Sequence, residues 1–231
     1  MNNLHVAVFY CVEVFHLFDI DTVLAIIKQE NKKFREPVVT TISKKRIPFH
    51  ILISCILSLR TKDQTTREAS NRLFSVADNP EDMIKIPTPK LEKLIYPVGF
   101  YRTKAKNIKE ICMALIETYN GEVPDEIDEL LELDGVGRKT ANLVVTLGYK
   151  KPGICVDTHV HRITNRWGYI KTGNPHETEV ALREKLPRKY WLIVNDLLVT
   201  YGQNICVPIS PRCSVCPVNR YCKQVGVTRY R

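Results

Sequence analysis

The sequence predicts an all-α protein folded in two lobes, and three observations carry that reading. Apolar residues recur at helical spacing in segment after segment. No run alternates for long enough to make a sheet. Residues 48–59 (PFHILISCILSL) are apolar on every side, as expected of a helix at a domain centre. No self-similar repeat is present, which excludes a solenoid or propeller.

In chain order, residues 1–18 form an apolar N-terminal run that carries Glu13 and lacks a basic start and a cleavage site, so it reads as an extension that packs as a helix or strand. A helix is predicted over 20–30, where Ile20, Val23, Leu24, Ile26 and Ile27 form a stripe. Residues 31–46 are polar and basic and read as a solvated loop. After the buried helix at 48–59, Asp63 is placed to cap a helix over 64–77. Segment 103–119 puts Ile108, Ile111, Cys112, Leu115, Ile116 and Tyr119 on one face, and Gly121 follows as a stop. Shorter helices are predicted over 125–132 and 138–148, the two separated by LDGVG. Two more fall at 175–186, opened by Pro175, and at 189–201, ended by Gly202.

The chain has 231 residues, 44% hydrophobic and 26% charged, which supports a core and excludes general disorder. Its net charge of +9 and pI near 9.1 favour a polyanionic partner, nucleic acid before an anionic membrane surface. No span long and apolar enough to cross a membrane is visible, and the chain is expected in the cytoplasm, associated with chromosomal DNA.

Eight cysteines are present. Cys55 and Cys112 lie in apolar runs and read as small buried hydrophobes. The last four form the pattern Cys206-x6-Cys213-x2-Cys216-x5-Cys222. In a reducing compartment such a group binds metal. Zinc sites usually come as two CxxC-like pairs with a longer spacer, and here 213/216 is the one such pair. The spacing suits a larger object such as a [4Fe–4S] cube, with zinc as the alternative. Residues 203–231 carry Arg212, Arg220, Lys223, Arg229 and Arg231 without an acid, a composition suited to phosphates.

In residues 131–142 (LELDGVGRKTAN), Gly135 and Gly137 flank Val136 between two helical stretches. Such glycines let the chain turn tightly and bring backbone N–H groups to a ligand. An ordinary helix–turn–helix corner would use them too. Lys139 stands at the start of the next helix. Cationic neighbours there are expected to lower its pKa, and a neutral amine is a nucleophile. Asp157 in VDTHVHR supplies a carboxylate that takes a proton or steadies a developing cation. His159 and His161 read as structural hydrogen-bonding residues.

LDGVGRKTAN, VDTHVHR and the four-cysteine pattern, in that order, strongly resemble the endonuclease III family of iron–sulfur helix-hairpin-helix DNA glycosylases. SLRTKDQTT, VGFYRTKAKNI and NGEVP extend the resemblance over about residues 20–222. It implies a helical barrel over 41–151 that carries the hairpin, and an iron–sulfur domain made of 20–40 with 152–231, beside an extension at 1–19. It implies a bifunctional glycosylase and abasic-site lyase for oxidised or damaged pyrimidines in duplex DNA. Lys139 would be the nucleophile, forming a Schiff base and cutting 3′ to the abasic site by β-elimination, and Asp157 would assist. Cys206, Cys213, Cys216 and Cys222 would hold the [4Fe–4S] cluster. Gly135, Val136, Gly137 and Arg138 would grip backbone phosphate, and Arg212 would touch DNA from the cluster loop. Arg60 stands where Gln is usual in the family and Phe100 where an aliphatic wedge is common. Both positions would fill the gap left by a flipped nucleotide. Asp134 replaces a usual Pro before the hairpin.

One cleft per chain implies a monomer. The alternatives are a mismatch glycosylase acting on adenine, or on U or T opposite G, and a non-catalytic iron–sulfur protein that binds damaged DNA. Lys139 favours the lyase over water attack, and the Lys139/Asp157 pair favours chemistry over binding alone.

Overall fold

The computed structural model describes residues 18–231, in which the regular structure is helical throughout. The extension expected at the N-terminus lies outside the described residues up to position 17. Among the described residues no helix is long and apolar enough to cross a membrane.

Helix α1 (Ile20–Asn31) opens where the Asp19 side chain accepts from the Thr22 N–H, and it buries Ile20, Val23, Leu24 and Ile27. The basic stretch expected as a loop holds a helix, α2 (Val38–Ser43). Its β-branched residues are poor helix formers, and tertiary packing overrides that propensity: Val38 is fully buried and Val39 lies on the core around α3 (Pro48–Ser58). Asp63 is the first residue of α4 (Asp63–Phe74) rather than its cap. Its carboxylate instead accepts the Val38 N–H at 3.0 Å, starting α2 across the fold. Every residue of α3 from Phe49 to Leu57 is buried, the polar His50 and Ser54 included.

Two short helices absent from the sequence expectation follow, α5 (Pro80–Lys85) and α6 (Thr88–Ile95). Each is too short for a periodic stripe, and both start at a proline-marked corner. Helix α7 (Tyr101–Tyr119) turns Ile108, Ile111, Cys112 and Leu115 inward. It ends at Asn120 and Gly121, both with positive φ. Helices α8 (Ile127–Leu131) and α9 (Arg138–Leu143) flank the glycine hairpin, and α9 widens into a π turn over Val144–Gly148.

Helix α10 (Thr158–Arg166) begins at Asp157. Helix α11 (Pro175–Lys185) is capped by Asn174. The helix expected over 189–201 is displaced: a 3-10 turn occupies Arg188–Tyr190 and α12 spans Val194–Asn204. It runs through Gly202 rather than ending there. A Cβ on Gly202 would meet His159 Nδ1 at 2.4 Å, so this glycine permits α10 to pack closely on α12.

Two apolar clusters organise the chain. One gathers buried residues from Phe49 to Val145 together with Cys155. The other joins Ile20–Ile27 to residues from Ile154 to Val218. The chain passes between them after α1 and again at 154–155, and that second crossing delivers Asp157 to the junction.

Candidate active site and nucleic-acid interface

Gly135 adopts φ +77, and a Cβ there would strike Asn107 Nδ2 at 2.5 Å, so the tight turn and the close approach to α7 both require glycine. Val136 and Leu133 are buried and seat the hairpin on the first core. Gly137 is extended, and a Cβ there would meet nothing within 4 Å, so this side of the turn is open. Arg138 follows, its guanidinium 3.2 Å from Glu179 of α11, a carboxylate 6% exposed. Glu179 also binds Arg183 at 2.9 Å. Burial would raise the Glu179 pKa, but the two guanidiniums hold it below its ordinary value. Glu179 was not anticipated: an acid inside an amphipathic helix looks like any solvated charge until its partner is in place.

Lys139 and Asp157 meet, Nζ to Oδ2 at 3.6 Å, the lysine side chain 42% exposed and the carboxylate 7%. Asp157 Oδ1 accepts the N–H groups of His159 (2.8 Å) and Val160 (3.0 Å), so one oxygen caps α10 and the other faces the amine. An Asp followed by a helical stretch is the sequence signal for this cap, and no helix was predicted after Asp157. The protonation expectation for Lys139 is reversed. Burial is the largest influence and pushes its pKa down, but the Asp157 carboxylate, joined by Cys155 and Cys55, brings the net direction up. The resting pair is therefore an ammonium facing a carboxylate.

Both residues line a cleft of about 730 Å³ between the two apolar clusters. Ser58, Thr61 and Asp63 form its first wall, and Thr158, His159 and Asn195 form the second. Ser58 and Asn195 carry no signal in the sequence, because isolated polar residues have no spacing that marks them. Burial holds His159 below its ordinary pKa, and its Nδ1 lies 3.1 Å from Arg162 Nη2, the arrangement of a neutral imidazole accepting from a guanidinium. His161 Nδ1 lies 2.7 Å from Thr178 Oγ1.

Arg60 and Phe100 sit on two adjacent loops beside the cleft. The Arg60 guanidinium lies 5.7 Å from the centre of the Phe100 ring, which is 63% exposed. Both have positive φ, +52 and +57.

The four tail cysteines line one cavity of about 350 Å³, bounded also by Arg166, Tyr201 and Arg212. Among the described residues no group of His, Cys, Asp or Glu is drawn together around a single metal ion. The sulfurs are met by donors: Tyr201 Oη lies 3.0 Å from Cys216 Sγ, Arg166 Nη1 donates to Cys206 Sγ at 3.4 Å, and the Gln224 N–H donates to Cys222 Sγ at 3.4 Å. Four thiols around a shared cavity, three of them met by donors, supply the donor set of a thiolate-bound metal centre. Arg212 is exposed on the loop that closes this cavity.

The chain matches the HhH-GPD superfamily of base excision DNA repair proteins over residues 53–188. It is 48% identical over 180 residues to endonuclease III of Thermotoga maritima, a match covering 78% of this chain and 84% of that one. It is 43% identical over 183 residues to the chloroplastic endonuclease III homolog 1 of Arabidopsis thaliana, covering 75% of this chain and about half (48%) of the longer plant protein. Its fold is similar to that of a trapped endonuclease III–DNA covalent intermediate with an estranged adenine, with a TM-score of 0.79, 37% identity, and coverage of 89% of this chain and 94% of that chain.

Proposed function

The chain belongs to the endonuclease III family of HhH-GPD base excision repair DNA glycosylases, and on that premise we propose that Lys139 and Asp157 carry a bifunctional glycosylase and abasic-site lyase reaction. The observation that supports this reading is the 3.6 Å pairing of a cleft-facing amine with a buried carboxylate. Damaged duplex DNA lies across the cleft, and the lesion nucleotide turns out of the stack into it. Lys139 gives up a proton, and its nitrogen attacks the sugar C1′. The bond from C1′ to the base breaks, and the base departs with the electron pair. Asp157, held by two backbone N–H groups, presents its carboxylate to the cation that builds on the sugar. Ring opening yields the Schiff base. Loss of a C2′ proton then expels the 3′ phosphate oxygen and cuts the strand, and water releases Lys139.

Residues 41–151 are assigned to the barrel, and 20–40 with 152–231 to the second domain, in keeping with the two apolar clusters. Gly135, Val136, Gly137 and Arg138 are assigned to backbone phosphate, and Arg60 and Phe100 to the gap left by the turned-out nucleotide. Cys206, Cys213, Cys216 and Cys222 would hold a [4Fe–4S] cluster, whose iron–thiolate bonds, when made, cross-link the tail. The chain is assigned to the cytoplasm, acting as a monomer on chromosomal DNA.

The test is borohydride trapping on duplex DNA carrying one thymine glycol, with an abasic duplex beside it. Adducts on both support a glycosylase–lyase for oxidised pyrimidines. An adduct on the abasic duplex alone moves the base preference, first to U and T opposite G. No adduct on either overturns the Schiff-base mechanism. For the cofactor, the purified protein is expected to absorb visible light and to contain iron and acid-labile sulfide in equal amounts. Stoichiometric zinc without sulfide would overturn that assignment. Arg212→Ala is expected to reduce the slope of log K against log [salt] by about one. An unchanged slope would remove Arg212 from the DNA surface.

A further inference from the structure

Lys104 is a buried residue to which neither the motif nor the cleft assigns a task. It stands in the first turn of α7, four residues after Phe100, and its backbone N–H donates to the Phe100 carbonyl at 3.0 Å. Its ammonium crosses to the other loop. Nζ donates to the carbonyls of Leu57 (2.9 Å) and Leu59 (2.5 Å) and to Thr61 Oγ1 (3.2 Å), the last two residues flanking Arg60. No carboxylate among the described residues lies within ion-pair distance of it. A buried charge without a counter-ion is costly, and here the charge is used to gather carbonyls that α3 leaves free at its C-terminus.

The two loops are locked together at further points. Thr61 Oγ1 also accepts the Gly99 N–H at 3.2 Å. A Cβ on Gly99 would come within 2.6 Å of the Arg60 carbonyl oxygen, so the backbones touch. Arg60 and Phe100 both hold left-handed backbone conformations that non-glycine residues rarely adopt, and such conformations persist where the surroundings impose them.

We infer that Lys104 is a positioning residue for nucleotide extrusion: it aims Arg60 and Phe100 as one unit at the space the lesion vacates. This rests on the reading of those two side chains as the gap-filling pair. Lys104 reaches the duplex only through them, and a pre-formed abasic site, with no base to unstack, places the smaller demand on them.

Lys104→Met, measured under single turnover, is expected to slow removal of thymine glycol by about 10-fold or more while abasic-site cleavage stays within about 3-fold. Lys104→Arg, which keeps the charge and the donors, is expected to recover part of the loss. Adding Lys104→Met to an Arg60→Ala/Phe100→Ala background is expected to cause no further loss. Equal losses in both activities, or none in either, would overturn the inference, as would full additivity in the combined variant. Gly99→Ala provides a second route should Lys104→Met fold poorly. It forces the two loops apart without touching the buried amine, and it is expected to give the same selective loss. Wild-type protein that forms no adduct on the abasic duplex would instead defeat the underlying functional reading.

Discussion

Lys139→Gln is expected to lose the borohydride-trapped adduct and strand cleavage together, while binding to damaged duplex persists. Among the residues lining the cleft, Lys139 supplies the one amine, so no neighbouring side chain can take its place. Glutamine has nearly the same reach and no nucleophilic nitrogen. The loss is expected to be at least about 1,000-fold in the rate of base removal, the scale seen when a covalent nucleophile is deleted. Folding should change little. Lys139 is 42% exposed, and Asp157 keeps both backbone N–H donors when the ammonium is gone. The ion pair is discounted for that exposure, and its removal is expected to cost less than about 1 kcal/mol. Thermal denaturation beside the trapping assay separates the two effects. Cleavage at the wild-type rate would mean that Lys139 is not the nucleophile.

The parts of the molecule legible in the sequence are those set by local rules. Helix α3 was legible because seven of the nine residues 49–57 are apolar, and α7 because its apolar stripe recurs at helical spacing from Ile108 to Tyr119. The hairpin was legible because turn chemistry demands Gly135. The misreadings occur where distant residues decide. Helix α2 is held by packing on the core around α3 and by Asp63, 25 positions away, which accepts the Val38 N–H. Gly202 looked like a helix stop, yet its role is to admit His159 and Arg162 of another helix. Lys139 is the most instructive case. Its sequence neighbour Arg138 is cationic and argues for easy deprotonation, but its spatial neighbours Asp157, Cys155 and Cys55 together turn the direction upward. Lys104 follows the same pattern. It is one lysine among several in the sequence of α7, and what distinguishes it is three acceptors contributed by another part of the fold. Motif order thus singled out Lys139 and Asp157, which meet at 3.6 Å, whereas the cleft walls, the Glu179 anchor and the Lys104 hydrogen bonds depend on contacts that no spacing rule encodes.

Asp157→Asn is expected to slow base removal by about 100- to 1,000-fold with little effect on DNA binding, the range for losing one pre-organised electrostatic group. The direction of the Lys139 pKa makes the result diagnostic. Asp157 raises that pKa and burial lowers it. Without the carboxylate, the main opposition to burial is gone, so Lys139 should lose its proton at lower pH. The acidic limb of the pH–rate profile should therefore move to lower pH even as the maximal rate falls. If Asp157 did no more than govern Lys139 protonation, its loss would leave more neutral amine at neutral pH and the reaction would quicken. A slower reaction with the limb displaced downward assigns to Asp157 the stabilisation of positive charge on the opening sugar. An unmoved limb would mean that the 3.6 Å pair does not control Lys139 protonation. The amide introduced by Asp157→Asn retains a side-chain oxygen for the His159 and Val160 N–H groups, so α10 should keep its cap. Asp157→Ala removes the cap as well, and it is expected to cost about 1 kcal/mol more in unfolding free energy than Asp157→Asn. Equal stability of the two variants would show that the cap contributes nothing to α10. Compared side by side, the two substitutions separate the oxygen that holds the helix from the oxygen that faces the amine.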